Sequence, residues 1–276
     1  MQLGRLGHTG ITWPFTPDGA KQAIKEVAGL GYRGVELFGF VIDAYPGGVD
    51  AVAKDLDAAG IRLASAYCSV SLVDPSKHEE DLASMRRWAD QVAHLGGEVV
   101  VVGPSPRTRD HYDLEDYRRV CSTLGEIARQ CAELGIVACF HPHTGTPVET
   151  RDEIAQVMDN VDGQLVRMAP DTGQIAKGGG DPVEVVRTYA PLIGHIHLKD
   201  YLGGTPTHNA NGEELDRTGW LDYVPLGKGV VDIPAIIAAL GADYPGWWMV
   251  ELDGTNAAPE SPIAAAAESK AYLETL

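Results

Sequence analysis

The sequence predicts an α/β protein folded as a (β/α)8 barrel, and three observations carry that prediction. Short apolar runs alternate with amphipathic helical stretches eight times along the chain. No glycine-rich phosphate turn follows the first run, where Gly7-His-Thr-Gly10 lacks the third glycine that an open doubly wound sheet would use. Imidazoles and carboxylates gather where the later runs end, which is the end at which a barrel of this kind does its chemistry.

The apolar runs read as strands at 3–7, 34–38, 62–67, 99–102, 136–140, 166–169, 192–197 and 247–251. The helical stretches between them fall at 18–29, 48–59, 79–95, 114–134, 151–160, 182–190, 233–240 and 262–276. Punctuation supports the helices. Asp181-Pro182 and Ser261-Pro262 each pair an N-cap residue with a proline at the first helical position. Thr150 and Glu153 are spaced as a capping box. Gly60, Gly96 and Gly135 stand where helices should stop. Strand–helix alternation implies parallel strands with right-handed crossovers, and eight units favour closure. One barrel domain over 1–276 is expected. Its one long connection, 200–231, is rich in Gly, Thr, Asn and Asp and reads as a partial lid carrying Trp220 and Tyr223.

Composition narrows the function. With 39 acidic against 22 basic residues the formal net charge is −17, a surface that repels nucleic-acid backbones and anionic membranes. No apolar run approaches the length of a membrane span, and the first residues lack the apolar core of a signal peptide. The four cysteines, Cys68, Cys121, Cys131 and Cys139, form no CxxC pair and read as buried free thiols. A cytoplasmic protein with no nucleic-acid or membrane partner is the expectation.

The chemistry-bearing residues are His141, His143, Asp171, His195, His197 and Glu251, each at or near a strand end. Imidazoles and carboxylates are the side chains that hold catalytic divalent metals. Residues two apart on a strand point the same way, so His141 with His143, and His195 with His197, can converge. Each residue also has a plain structural reading. A single strand-end histidine is more often a hydrogen-bonded structural group, and Asp171-Thr-Gly is also a helix-capping turn. Ligands from several strands would leave coordination positions open for substrate. The implied function is a metal-dependent enzyme acting on a small polar molecule.

Several stretches together resemble a known superfamily: Phe140-His-Pro-His-Thr-Gly-Thr146, Asp171-Thr-Gly173, Gly180-Asp-Pro182, His195-Ile-His-Leu-Lys-Asp200, Leu226-Gly-Lys-Gly229 with Val231-Asp-Ile-Pro234, and Gly246-Trp-Trp-Met-Val-Glu251. They are similar to the xylose isomerase-like TIM barrels, and within these to the inosose dehydratases. The resemblance implies a divalent metal, Mn²⁺ foremost with Co²⁺ or Mg²⁺ as alternatives, and a polyol or sugar ketone as substrate. It implies Asp171, His197 and Glu251 as ligands, with His141 in the place of the superfamily's first glutamate. Loss of that glutamate argues against two-glutamate epimerisation. Gln174 stands where related chains often have histidine, which argues against a second metal there and against a nuclease cluster.

The expected reaction is removal of water from a cyclic polyol ketone such as 2-keto-myo-inositol, by α-proton abstraction and enolate stabilisation. His143 is the first candidate for the base and Glu251 the second. Lys199 is expected to donate to the departing hydroxyl or to orient Asp200. Glu36, His8, His195 and Trp13 are expected to face the substrate, Trp13 with Phe38 as an apolar wall. For Glu36 the alternative is support of a ligand, and for His8 a core role. The competing readings are a ketose isomerase or 3-epimerase on the same scaffold, and a non-catalytic partner subunit. By analogy with related barrels a homodimer or homotetramer is expected.

Overall fold

The computed structural model describes residues 3–204, 222–241, 243–254 and 261–276. The strands, in chain order, are β1 (Leu6–Thr9), β2 (Gly34–Phe38), β3 (Arg62–Val70), β4 (Val99–Pro104), β5 (Val137–Phe140), β6 (Val166–Met168), β7 (His195–Leu198), β8 (Asp200–Tyr201), β9 (Tyr223–Val224) and β10 (Trp247–Val250). The helices are α1 (Pro17–Gly29), α2 (Gly39–Asp43), α3 (Val49–Ala59), α4 (His78–His94), α5 (Leu114–Ala132), α6 (Arg151–Met158), α7 (Thr172–Lys177), α8 (Pro182–Tyr189), α9 (Ile233–Leu240) and α10 (Pro262–Thr275).

Eight of the strands form one parallel sheet in the order β6-β5-β4-β3-β2-β1-β10-β7. The two ends of that order meet. Gly194 N–H donates to Met168 O at 3.0 Å and His197 N–H to Pro170 O at 3.0 Å. Single bridges at Met168/Ile193 and Asp171/His197 close the ring into a nearly complete (β/α)8 barrel. Strand alternation sorts the β4 valines by face. Val99 and Val101 cluster with Cys139 and Ala169 inside the barrel, while Val100 and Val102 join the main core under the helices. Each fully buried valine contributes about 1.5–3 kcal/mol relative to exposure.

The caps behave as their residues dictate. Thr150 and Glu153 make a reciprocal capping box on α6, and Asp181 and Ser261 cap α8 and α10 with proline following. Gly60, Gly96 and Gly135 hold left-handed φ values of 68°, 70° and 73° after their helices, where a side chain would be strained.

Some boundaries differ from expectation. The first strand is Leu6–Thr9 rather than 3–7, because its register pairs Leu6 with Trp248 and His8 with Val250. β3 runs on to Val70, and α2 and α7 occupy connections expected to be irregular. The stem of the long connection is also more ordered than a loop. β8 pairs antiparallel with β9. The Asp200 carboxylate accepts the backbone N–H groups of Tyr201, Gly227, Gly229 and Val231 at 2.9–3.0 Å. A Cβ on Gly229 would stand 2.3 Å from Asp200 Oδ1, so only glycine lets the backbone close around that carboxylate. Tyr223 is fully buried, and Trp220, with the rest of 205–221, lies outside the described residues.

All four cysteines are free: Cys68, Cys131 and Cys139 are buried and Cys121 is half-buried. No helix among the described residues is long and apolar enough to cross a membrane.

Candidate functional site

Parallel barrel strands all end on one face, so side chains at the ends of β2, β5, β7 and β10 converge there. His195 and His197 are both fully buried on β7, spaced by two and pointing the same way. Their Nε2 atoms each lie 3.1 Å from Glu36 Oε2. Ser65 Oγ donates to the same oxygen at 2.6 Å. A register shift between Val35 and Glu36 brings Ser65, rather than Ala64, alongside Glu36. A bulge commonly re-aims a side chain in this way.

On the other side of its ring, His197 Nδ1 lies 2.7 Å from Glu251 Oε2 but out of line for a hydrogen bond. Asp171 caps α7 through Oδ1, which accepts from Gly173 N and Gln174 N at 2.9 Å each. The capping reading and the ligand reading of Asp171 are compatible, because the cap uses Oδ1 while Oδ2 faces the Lys199 ammonium at 3.0 Å and makes no hydrogen bond. Buried Nδ1 of His141, Oδ2 of Asp171 and Nδ1 of His197 make no hydrogen bond. His197 Nδ1 and Asp171 Oδ2 keep ion-pair contacts with Glu251 and Lys199, whereas His141 Nδ1 has no polar partner, and such an orphaned buried atom costs about 1–3 kcal/mol. Donor atoms of these three residues also gather within 4.8 Å of one another. Three such atoms from His, Asp and His fit a divalent cation. Glu36, His195 and His197 form a second such group, but there the nitrogens are already satisfied by the carboxylate.

Lys199 is fully buried, and its Nζ lies 2.7 Å from Glu251 Oε1, 2.8 Å from Asp253 Oδ1 and 3.0 Å from Asp171 Oδ2. Tyr223 covers the ammonium, with its ring centroid 4.6 Å from Nζ. A Cβ on Gly173 would stand 2.7 Å from Lys199 Cγ, so a glycine here gives the lysine its path. Gln174 locks the surroundings: its Oε1 accepts from Thr144 Oγ1 and Tyr223 OH at 2.5 and 2.7 Å, and its Nε2 donates to Asp253 at 3.3 Å. Lys199 does not meet Asp200, whose carboxylate is taken up by backbone N–H groups.

The charges follow from these contacts. Burial opposes the charged forms of Lys199 and His197, yet the carboxylates around them raise both well above their ordinary ranges. Burial likewise disfavours ionised Glu251 and Glu36, but Lys199 and His197 hold Glu251 well down, and His197 with His195 holds Glu36 below the carboxylate range. Asp253 is pushed up to about 7 by burial, with Glu251 and Asp171 adding to the rise against the pull of Lys199. His141 is lowered by burial and by His197, and His143 by burial and by Lys199, so both are neutral imidazoles at neutral pH.

His143 Nδ1 sits 2.7 Å from the Thr144 carbonyl. A carbonyl only accepts, so Nδ1 carries the hydrogen and Nε2 keeps its lone pair. Among the described residues, Glu36, His141, His143 and Glu251 face one cavity, walled by Phe38 and Tyr67. Tyr67 and His143 also edge a wider groove past Ser69, Thr144 and Lys177.

The other expected site residues lie elsewhere. His8 donates from Nδ1 to the Thr9 carbonyl at 2.7 Å and packs edge-on to Trp13 and Tyr32, with centroids 5.4 Å away in both cases. Burial pushes its pKa down to about 4. Trp13 is buried and donates from Nε1 to Glu26 at 2.8 Å. Neither lines the cavity. Residues that sequence reasoning passed over include Ser65, Tyr67 and Asp253. Asp253 stands two after Glu251, the same spacing that picked out the histidine pairs.

A model of the xylose isomerase-like TIM barrel family matches residues 24–276. The inosose dehydratase of Geobacillus kaustophilus (strain HTA426) is 32% identical over 299 residues, covering 99% of this chain and 94% of that protein. Among solved structures, the apo form of 3-keto-D-glucoside 4-epimerase from E. coli superposes with a TM-score of 0.73 at 18% identity, over 99% of each chain. The IOLI protein with a bound zinc atom superposes with a TM-score of 0.75 at 17% identity, over 98% of this chain and 97% of that one. This chain belongs to the xylose isomerase-like TIM barrel family.

Proposed function

We propose that the protein is a divalent-metal-dependent dehydratase that removes water from a cyclic polyol ketone such as 2-keto-myo-inositol. One observation carries the reading: a neutral imidazole with a free lone pair, His143, shares a cavity with His141 of the cation-fitting trio, their ring centroids 5.8 Å apart. The similarity to inosose dehydratases across the chain's length supports the substrate class.

His141, Asp171 and His197 would hold the ion, joined by Glu251; Mn²⁺ is the ion we favour. When bound it supplies positive charge to a ketone oxygen and so favours the enolate. His143 Nε2 takes the proton from the carbon next to the ketone. The electron pair of that C–H bond becomes the enolate, and its return expels the β-hydroxyl, which leaves as water after taking a proton. The imidazolium formed on His143 can return that proton, so the step balances without a further reactant. Phe38 and Tyr67 offer aromatic faces to the C–H face of the ring. Lys199, behind the carboxylates, sets their positions and charge and does not line the cavity.

Incubation with scyllo-inosose and Mn²⁺ tests the proposal: growth of an enone absorbance supports it. Exchange of the α-proton in D₂O with no loss of water would instead identify an isomerase or epimerase. Neither signal, with no metal bound, would point to a non-catalytic partner.

A further inference from the structure

Resting on the cation reading above, we infer that Glu36 is a positioning residue that fixes the His197 ring for the ion by holding its Nε2 hydrogen. Three donors converge on the single oxygen Oε2: Ser65 Oγ at 2.6 Å, His195 Nε2 at 3.1 Å and His197 Nε2 at 3.1 Å. An ionised carboxylate oxygen only accepts, so each facing nitrogen carries a hydrogen. That assignment leaves Nδ1 as the coordinating atom of His197. It is this Nδ1, turned to Glu251 Oε2 at 2.7 Å rather than to Glu36, that stands with His141 Nδ1 and Asp171 Oδ2, and an ion bound there would take the place of the hydrogen that faces Glu251. A carboxylate behind a metal-bound imidazole orients the ring and raises its basicity. The extra residue Ala64 in β3, opposite the Val35–Glu36 step, completes the arrangement by delivering Ser65 as the third donor. The same geometry removes Glu36, His195 and His197 as a second cation site, because their hydrogens point at the carboxylate.

The test uses the full-length protein and Mn²⁺ or Zn²⁺ alone. Glu36→Gln is expected to weaken Mn²⁺ affinity by about 10–100-fold in competition dialysis, the usual penalty for losing such a partner. Its metal-free melting curve serves as the folding control. In the wild type loaded with diamagnetic Zn²⁺, ¹⁵N spectra of labelled histidine should show His197 protonated at Nε2, a readout that needs no variant to fold. Affinity within twofold of wild type in Glu36→Gln, or a His197 protonated at Nδ1, would overturn the inference. So would binding of two Mn²⁺ per chain with the second lost on Glu36→Gln. A wild type that binds no divalent ion would instead bring down the cation reading on which this rests.

Discussion

Asp253 Oδ1 accepts a 2.8 Å hydrogen bond from Nζ of Lys199, a lysine with no exposed surface. Two more carboxylates, from Asp171 and Glu251, share the same ammonium. The lysine is thus the fixed positive charge that lets three acids coexist beside the candidate ion.

Lys199→Met should therefore leave three buried carboxylates without their shared partner. Removing one member of a buried ion pair costs about 3–5 kcal/mol. Denaturant unfolding of the metal-free variant should show a loss of that size, and excess Mn²⁺ should recover part of it by mass action. A change below about 1 kcal/mol would contradict this account of the cluster.

His197→Ala and Glu251→Gln should each lose the bound metal and the activity together. Metal content after dialysis, and the rise in melting temperature on adding Mn²⁺, are the measurements. A variant that keeps both the metal and the thermal shift is not missing a ligand.

His143→Ala should keep the metal, because His143 lies outside the trio of His141, Asp171 and His197. Its rate should fall by roughly 10²–10⁴-fold, the usual worth of a general base. An unchanged rate removes His143 from the chemistry.

Phe38→Leu keeps an apolar side chain in the cavity wall and removes the ring. Aromatic contacts of about 0.5–1.5 kcal/mol correspond to a rise in KM of roughly 2–12-fold, with kcat little changed. A fall in kcat at constant KM would move Phe38 from binding to transition-state positioning.

Asp43 at the end of α2 accepts from Arg87 at 3.1–3.3 Å, Trp88 Nε1 at 2.9 Å and Gln91 at 2.8 Å. It thereby ties the segment carrying Phe38 and Phe40 to α4. Burial opposes its charge, but Arg87, Gln91 and Trp88 outweigh that and lower its pKa. A lowered folded pKa means that the stabilisation is complete above the ordinary carboxylate value and is lost as pH falls through the folded one. The melting-temperature gap between wild type and Asp43→Asn should hold from pH 7 to about 5 and close below about 4. A gap that widens in acid would reverse the sign.

Much of this architecture is legible in the sequence, and what is not has physical reasons. Strand periodicity placed His195 and His197 on one face, and Glu251 announced itself as a carboxylate ending an apolar run. Asp253 obeys the same period of two and could have been found by it. Ser65 could not, because a one-residue bulge in β3 decides whether Ala64 or Ser65 meets Glu36. The face of His8 was hidden for a related reason. Gly7 borders Met249 inside the barrel and Thr9 faces the cavity, which turns His8 outward, and a glycine carries no hydrophobic mark of its side. In the sequence Gln174 shows only as the lack of a metal-binding histidine. It is also a clamp, joining Thr144, Tyr223 and Asp253 from three separate connections.

The barrel closes between β6 and β7 through single bridges, and one of those bridges pairs Asp171 with His197. Two members of the cation-fitting trio thus sit on opposite lips of the most thinly stitched seam in the wall. An ion gripped by both would act as a rivet, and amides along that seam should exchange with deuterium more slowly in the loaded protein. In such a protein, keeping the cofactor and keeping the cylinder shut become a single thermodynamic event.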